Sequence, residues 1–308
     1  MSPDLICLGE PLVEFSQLPE GGFYKAGFGG DTSNTAIAAA RQGARAGYLT
    51  AVGDDSFGAM LIDLWRKEGV DASRVKRDPA APTGVYFVTH GAAGHEFHYY
   101  RANSAASQMT PADLPADYIR AAKLLHVSAI SQAISESACE TVFAAMEIAR
   151  AAGLRVCFDT NLRLKLWPLD RARAMIGEAI RRADILRPAL DDAQKLTGLE
   201  QPEAIVDHYL NLGPRLVAMT MGRDGVLLGT PEARHHLPAH HVAAVDATGA
   251  GDTFNGAFLA CLLAGEAPLE AARYANAAAA LSTTGYGAVA PIPRPEAVRR
   301  FLAEAATA

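Results

Sequence analysis

The stretch Val245–Glu266 reads VDATGAGDTFNGAFLACLLAGE. The apolar run HVAAV leads into Asp246 and predicts a strand. A glycine-rich turn follows, and an apolar helical face begins at Phe254. Gly249 and Gly251 let the backbone turn sharply and bring its N–H groups close to a ligand. Those groups open a helix, where unsatisfied donors and the positive end of the dipole favour an anion. Asp252 stands in the first turn beside the same spot.

Outward from this junction, short apolar strands alternate with alanine-rich helical segments. Strands are predicted at Leu5–Leu8, Ala46–Val52, Leu124–Ala129, Leu154–Asp159, Ile185–Arg187 and Leu216–Thr220. Helices are predicted at Thr32–Gln42, Phe57–Glu68, Ser137–Ala151 and Leu169–Arg182. The alternation implies βαβ units and a mainly parallel sheet covered on both faces, an α/β fold. Residues 10–27 and 84–101 break the rhythm with strands and no helix between them. Val85, Phe87 and Thr89 fall on one face there, Tyr86 and Val88 on the other, and GAAG at 91–94 offers a hairpin turn. This predicts a small β-sheet lid over a cleft, carried by a single domain that spans residues 1–308.

Composition narrows the function. The 28 Lys and Arg against 34 Asp and Glu leave a formal charge of −6, which argues against nucleic acid or a membrane as partner. The N-terminal sequence lacks the basic lead of a secretory signal, and no apolar run reaches membrane-spanning length. The four cysteines are far apart in apolar runs, as in the reduced thiols of a cytoplasmic protein. No GxxxxGK[ST], HRD or DFG is present, and GEPLVEF follows the first strand where a dinucleotide fingerprint would stand.

A carboxylate beside an anion cradle is what phosphoryl transfer to an alcohol requires: the acid takes the hydroxyl proton while amides stabilise the transferring group. Read without that chemistry, Asp252 is a helix N-terminal acid and the glycines a tight turn. The dipole is expected to lower the pKa of Asp252. A second cluster, AGFGGDTSNTAIAAARQG at 26–43, frees the backbone at Gly29 and Gly30, caps a helix with Asp31 and sets Asn34 three residues on. Asp31 and Asn34 together suit a polyhydroxylated ligand.

GGDTSNTA, followed by Gly43 and Gly53, resembles the first signature of the ribokinase-like (PfkB) carbohydrate kinases, and DATGAGDTFNGAF resembles the second. The likeness spans nearly the whole chain and implies a three-layer α/β/α fold with a β-sheet lid. It implies that Asp252 is the catalytic base, that Gly249, Ala250 and Gly251 form the anion hole, and that ATP is the donor with Mg²⁺. A monovalent cation such as K⁺ belongs to the same expectation.

HYYRANSAAS, DTNLRLKLWP and GGDTSN together resemble the 2-keto-3-deoxygluconate kinase branch. The substrate so implied carries a carboxylate, which a fork-shaped cation holds well. By this resemblance Arg101 and Arg163 face the acid end, and Tyr86 and Tyr99 serve the lid, with Gly30, Asp31 and Asn34 on the sugar. Tyr99 and Tyr100 occupy opposite faces of a strand, so at most one reaches the cleft. Thr220, Gly222 and Gly225 match positions near the phosphates and ribose. Asn276 matches one that lines the adenine pocket, and Asn161 and Arg163 are also assigned to ATP. Where many members carry Asn-x-x-Glu, this chain has RPALDD, with Ala189 and Asp192; Asp192 is the candidate metal residue, acting through water. A kinase of a neutral sugar such as fructose or ribose, and a sugar-binding protein without catalysis, remain as alternatives. The histidines of HHLPAHH at 235–241 alternate across a strand and predict no metal set. An exposed lid edge predicts a second copy as partner.

Overall fold

The computed structural model describes residues 2–18, 21–91 and 94–305. In chain order its strands are β1 (Leu5–Leu8), β2 (Leu12–Gln17), β3 (Tyr24–Gly29), β4 (Ala46–Leu49), β5 (Ala51–Gly53), β6 (Lys76–Asp78) and β7 (Val85–Gly91). They continue with β8 (Gly94–Tyr100), β9 (Leu124–Ser128), β10 (Arg155–Asp159), β11 (Ile185–Arg187), β12 (Leu216–Thr220), β13 (Val226–Gly229) and β14 (Arg234–Leu237).

The main sheet runs β14-β13-β12-β11-β10-β9-β1-β4. All its pairings are parallel except those at the β12–β13–β14 end. Its strands are apolar at successive positions because both faces are covered. Leu5 and Cys7 enter one core layer, Ile6 and Leu8 the other. Helices Asp31–Arg41, Ala250–Ala264 and Pro268–Ser282 cover the first layer. Helices Glu136–Ala151, Leu169–Ile180 and Pro202–Asn211 cover the second. The lid is a separate sheet, β3-β2-β7-β8, built from the two segments that lack helices. The β7–β8 hairpin forms as predicted, although Ala92 and Ala93 of its expected turn lie outside the described residues.

Two predicted strands differ. The run Ala46–Val52 divides at Thr50, whose carbonyl accepts from Lys76 N (3.0 Å), so β5 leaves the main sheet and pairs with β6. HVAAV forms no strand: β14 ends at Leu237, and Pro238 cannot donate to a ladder. Val245 is half exposed, and the N–H groups of Val245 and Asp246 both donate to the Thr283 carbonyl (2.8 and 3.1 Å).

Helices Asp31–Arg41 and Ala250–Ala264 cross with their backbones nearly touching. A Cβ on Gly256 would lie 2.4 Å from the Ala38 Cβ and 2.5 Å from the Thr35 carbonyl oxygen. Gly256→Val should therefore separate the helices and destabilise the fold by about 1–3 kcal/mol, read as a lowered thermal midpoint; an unchanged midpoint would show that the crossing yields without cost.

Candidate active site

The carboxyl ends of β9, β10 and β11 point under that crossing, the edge at which α/β sheets receive ligands. On the face where Cys157 and Ile185 enter the core, the strands end in Asp159 and Arg187, which are register partners. Above them Gly249 takes φ 75°, and a Cβ there would come within 2.9 Å of the Ala288 backbone, so the turn needs glycine. Gly251 differs from expectation. It is exposed within the helix and not left-handed, and an added Cβ would meet nothing within 4 Å. Its lack of a side chain keeps space clear beside the helix end. The Ala250 N–H donates to the Ala247 carbonyl (3.2 Å), which leaves Gly251 and Asp252 as the first-turn residues whose N–H groups lack helical partners.

Asp252 Oδ2 accepts from Asn34 Nδ2 at 2.8 Å, across the helix crossing. Asp31 is not the cap: Gly30 holds that position, and Asp31 opens the helix, accepting from Thr32 N and from Asn161 Nδ2, both at 2.8 Å. Asn161 thus stands against Asp31. Asp159 accepts from Asn255 Nδ2 (2.6 Å) and Asn161 N (3.0 Å). Asp252 therefore has two other carboxylates, Asp31 and Asp159, as close neighbours. Burial first, and then the neighbouring Asp31 and Asp159, push the Asp252 pKa well above the carboxylate range, while Asn34 and Arg163 pull it down. The expected lowering by the helix dipole is overturned, since desolvation and like charges outweigh a terminal half-charge. Burial likewise raises Asp159 to about 6, opposed by Arg187.

On the lid, Tyr86 donates to Glu14 and stacks on Tyr99 (centroids 5.4 Å), while Tyr100 meets Phe87 on the other face (5.7 Å). Arg101 is not an open cation. It pairs with buried Glu10 and lies over the Tyr99 ring at 5.6 Å. Glu10 also accepts from Ser104 Oγ at 2.7 Å, and burial raises its pKa against the pull of Arg101. Arg163 is half exposed; its Nη1 donates to the Leu162 carbonyl (2.9 Å) and stands 3.9 Å from Asp192, which itself accepts from Leu162 N (3.0 Å).

Thr220 ends β12, and Gly222 and Gly225 frame the turn that follows. Asn276 is buried and donates to the Pro238 carbonyl at 2.8 Å, tying its helix to the chain beyond β14. Among the described residues no three acids, histidines or cysteines converge to hold a metal. His235 and His236 are exposed on β14, and His240 packs on Phe301. Sequence reasoning missed Asp159, Asn255, Arg187, Glu10 and Glu14. The only signal was polarity appearing at the end of apolar runs such as RVCFD.

Residues 3–295 match the pfkB family carbohydrate kinases. The chain belongs to that family. It is similar to 2-dehydro-3-deoxygluconokinase of Thermoproteus tenax (35% identity, 97% of this chain and 94% of the relative). Probable fructokinase-4 of Arabidopsis thaliana is as similar (35%, 97% and 96%). A putative ribokinase II of E. coli, solved in complex with ATP and Mg²⁺, superimposes with a TM-score of 0.91 at 26% identity, over 99% of this chain and 100% of that one. The family places this chain among the carbohydrate kinases and accounts for a large sheet with a small lid.

Gly251→Val tests whether the cleared space at the helix end is used. A Cβ there meets nothing within 4 Å beyond its own helix, so the kinase should fold with a normal thermal midpoint and lose most turnover. Folded protein with wild-type turnover would make the glycine incidental.

Proposed function

We propose that this carbohydrate kinase phosphorylates 2-keto-3-deoxygluconate at its terminal hydroxyl, using ATP and giving 2-keto-3-deoxy-6-phosphogluconate. Asp252 takes the hydroxyl proton, and its raised proton affinity suits that task better than an ordinary carboxylate would. The N–H groups at Gly251 and Asp252, at the positive end of a 15-residue helix, steady the transferring phosphoryl group. Asp31 and Asn34 hold sugar hydroxyls, and Tyr86 and Tyr99 close the lid side. Thr220, Gly222, Gly225 and Asn276 serve the nucleotide. Mg²⁺ would neutralise phosphate charge. It would be held through phosphates, water and few carboxylates, which fits the lack, among the described residues, of three acids placed to hold a metal, and Asp192 would act on it through water. A monovalent cation such as K⁺ is a further proposed companion.

The observation that carries the substrate class is Arg163. It lies close enough to favour ionised Asp252, is half exposed, and among the described residues makes one backbone bond and a 3.9 Å approach to a carboxylate. A guanidinium so placed has donors to offer an acid end. One observation favours a neutral sugar such as fructose: buried Glu10 already balances Arg101, the other arginine assigned to the clamp. The lid presents Phe23, Tyr24, Phe97 and Tyr100 to solvent near its β3 and β8 edges, the surface we assign to a second copy of the chain. No helix among the described residues is long and apolar enough to cross a membrane; we place the enzyme in the cytoplasm, with its substrates.

ADP release with 2-keto-3-deoxygluconate, fructose, ribose and gluconate decides the substrate, and preference for fructose or ribose would overturn the reading. In Asp252→Asn, turnover should fall by roughly two to four orders of magnitude. Because Asp252 accepts a proton only when ionised, wild-type turnover should decline as pH falls through its raised pKa, on the acid side of the optimum. Arg163→Ala should raise KM for the sugar acid by roughly ten- to a hundredfold, the equivalent of about 1.5–3 kcal/mol, and leave KM for fructose little changed. Arg101→Ala should impair both sugars, because it leaves buried Glu10 without its counter-charge.

A further inference from the structure

Arg187 carries a fully buried charge that none of these roles uses. It ends β11 with 2% of its surface exposed. Its Nε donates to Asn255 Oδ1 at 2.5 Å, and Asn255 Nδ2 passes the contact to Asp159 Oδ2 at 2.6 Å. The guanidinium carbon lies 4.1 Å from the centre of the Phe254 ring, and buried Nη1 has no hydrogen-bond partner. Phe254 and Asn255 are two and three residues past Asp252 on the same helix. The arginine therefore grips the turn that carries the proposed base, from the sheet side.

A buried arginine is costly, and an apolar side chain of similar length would pack on Phe254 without that cost. Structure alone therefore gives weak reason for it. Charge gives a stronger one. Asp252 faces Asp31 from the first helix, Asp159 from β10, Tyr86 from the lid and Arg163 from the loop after β10. Arg187 itself faces Asp159, Cys157 and Asp252, and bears on His126 of β9. Among these groups only Arg163 and Arg187 are lasting cations, and Arg163 is half exposed and screened.

We propose that Arg187 is a positioning residue of the phosphoryl transfer: through Phe254 and Asn255 it fixes the turn bearing Asp252, and its buried charge favours the ionised form of that carboxylate among two other acids. This rests on Asp252 being the proton acceptor, a role that Asp252→Asn tests separately.

The test is kcat against pH for Arg187→Met and Arg187→Lys, with 2-keto-3-deoxygluconate or with fructose, whichever the wild type turns over. Removing the positive charge favours protonated Asp252, so in Arg187→Met the acid limb should move measurably to higher pH. KM for the sugar should change little while kcat falls. Arg187→Lys should return the limb toward wild type. Thermal melting and ADP titration calorimetry establish that the variants fold and bind. An unmoved limb in folded Arg187→Met, or a limb moved equally in Arg187→Lys, overturns the proposal. Asn255→Ser serves if Arg187→Met does not fold. It breaks the bridge and leaves every charge, so kcat should fall with the limb in place; wild-type kcat there overturns the positioning role. Loss of turnover in Asp252→Asn with an unmoved limb in Arg187→Met would sink this inference alone, and full turnover in Asp252→Asn would sink the base.

Discussion

The close crossing of helices Asp31–Arg41 and Ala250–Ala264 governs the site. The helices come from opposite ends of the chain, and Gly256 removes the side chain that would hold them apart. Because they meet there, Asn34 reaches Asp252 at 2.8 Å and Thr35 Oγ1 lies 3.5 Å from the Asp252 carbonyl. A side chain at 256 would act one turn from the chemistry. The apolar layer beneath, with Phe254, Phe258, Ile37 and Tyr48, is buried. Core packing thus fixes the geometry of the polar groups above it, a stiffer support than loops alone would give.

Electrostatics follow from the same convergence. Parallel strands end together, so the residues that close their apolar runs come side by side. Here they are Asp159 and Arg187, with Asp31 and Asp252 added from two helix starts. Two helix N-termini and one buried guanidinium face three carboxylates. Burial raises the proton affinity of Asp252 and Asp159 more than those positive ends lower it. The asparagine side chains carry much of the hydrogen bonding: the amides of Asn34, Asn161 and Asn255 each donate to one acid without adding charge.

The sheet, its flanking helices and the lid were legible because their cues are local: buried strands as short apolar runs, the lid as period-two alternation without helices. The resemblance likewise located Asp252, Asp31 and Asn34, which the structure gathers. HVAAV misled because apolar composition cannot say whether a sheet edge is available, and here the sheet had already ended at Leu237. Ionisation of Asp252 was misjudged because its neighbours Asp31 and Asp159 are 221 and 93 residues away in sequence. A sequence window sees the helix dipole and not the acids opposite.

Arg101 shows what a matched position does and does not carry. The match assigned it to the acid end of the substrate; in the fold it follows β8 and lies over the Tyr99 ring. It gave no hint of Glu10, which the turn after β1 brings up with no exposed surface on its side chain. A guanidinium committed to a buried carboxylate has less charge to spend on a ligand, yet it still ties the two ends of the lid. Glu10 precedes β2, Arg101 follows β8, and Ser104 donates to the same acid at 2.7 Å. The pair thus lies at the junction through which both lid segments leave and re-enter the main body. Arg163 instead follows β10 on the main body, so the proposed recognition of an acid end there would separate substrate charge from lid position between two arginines.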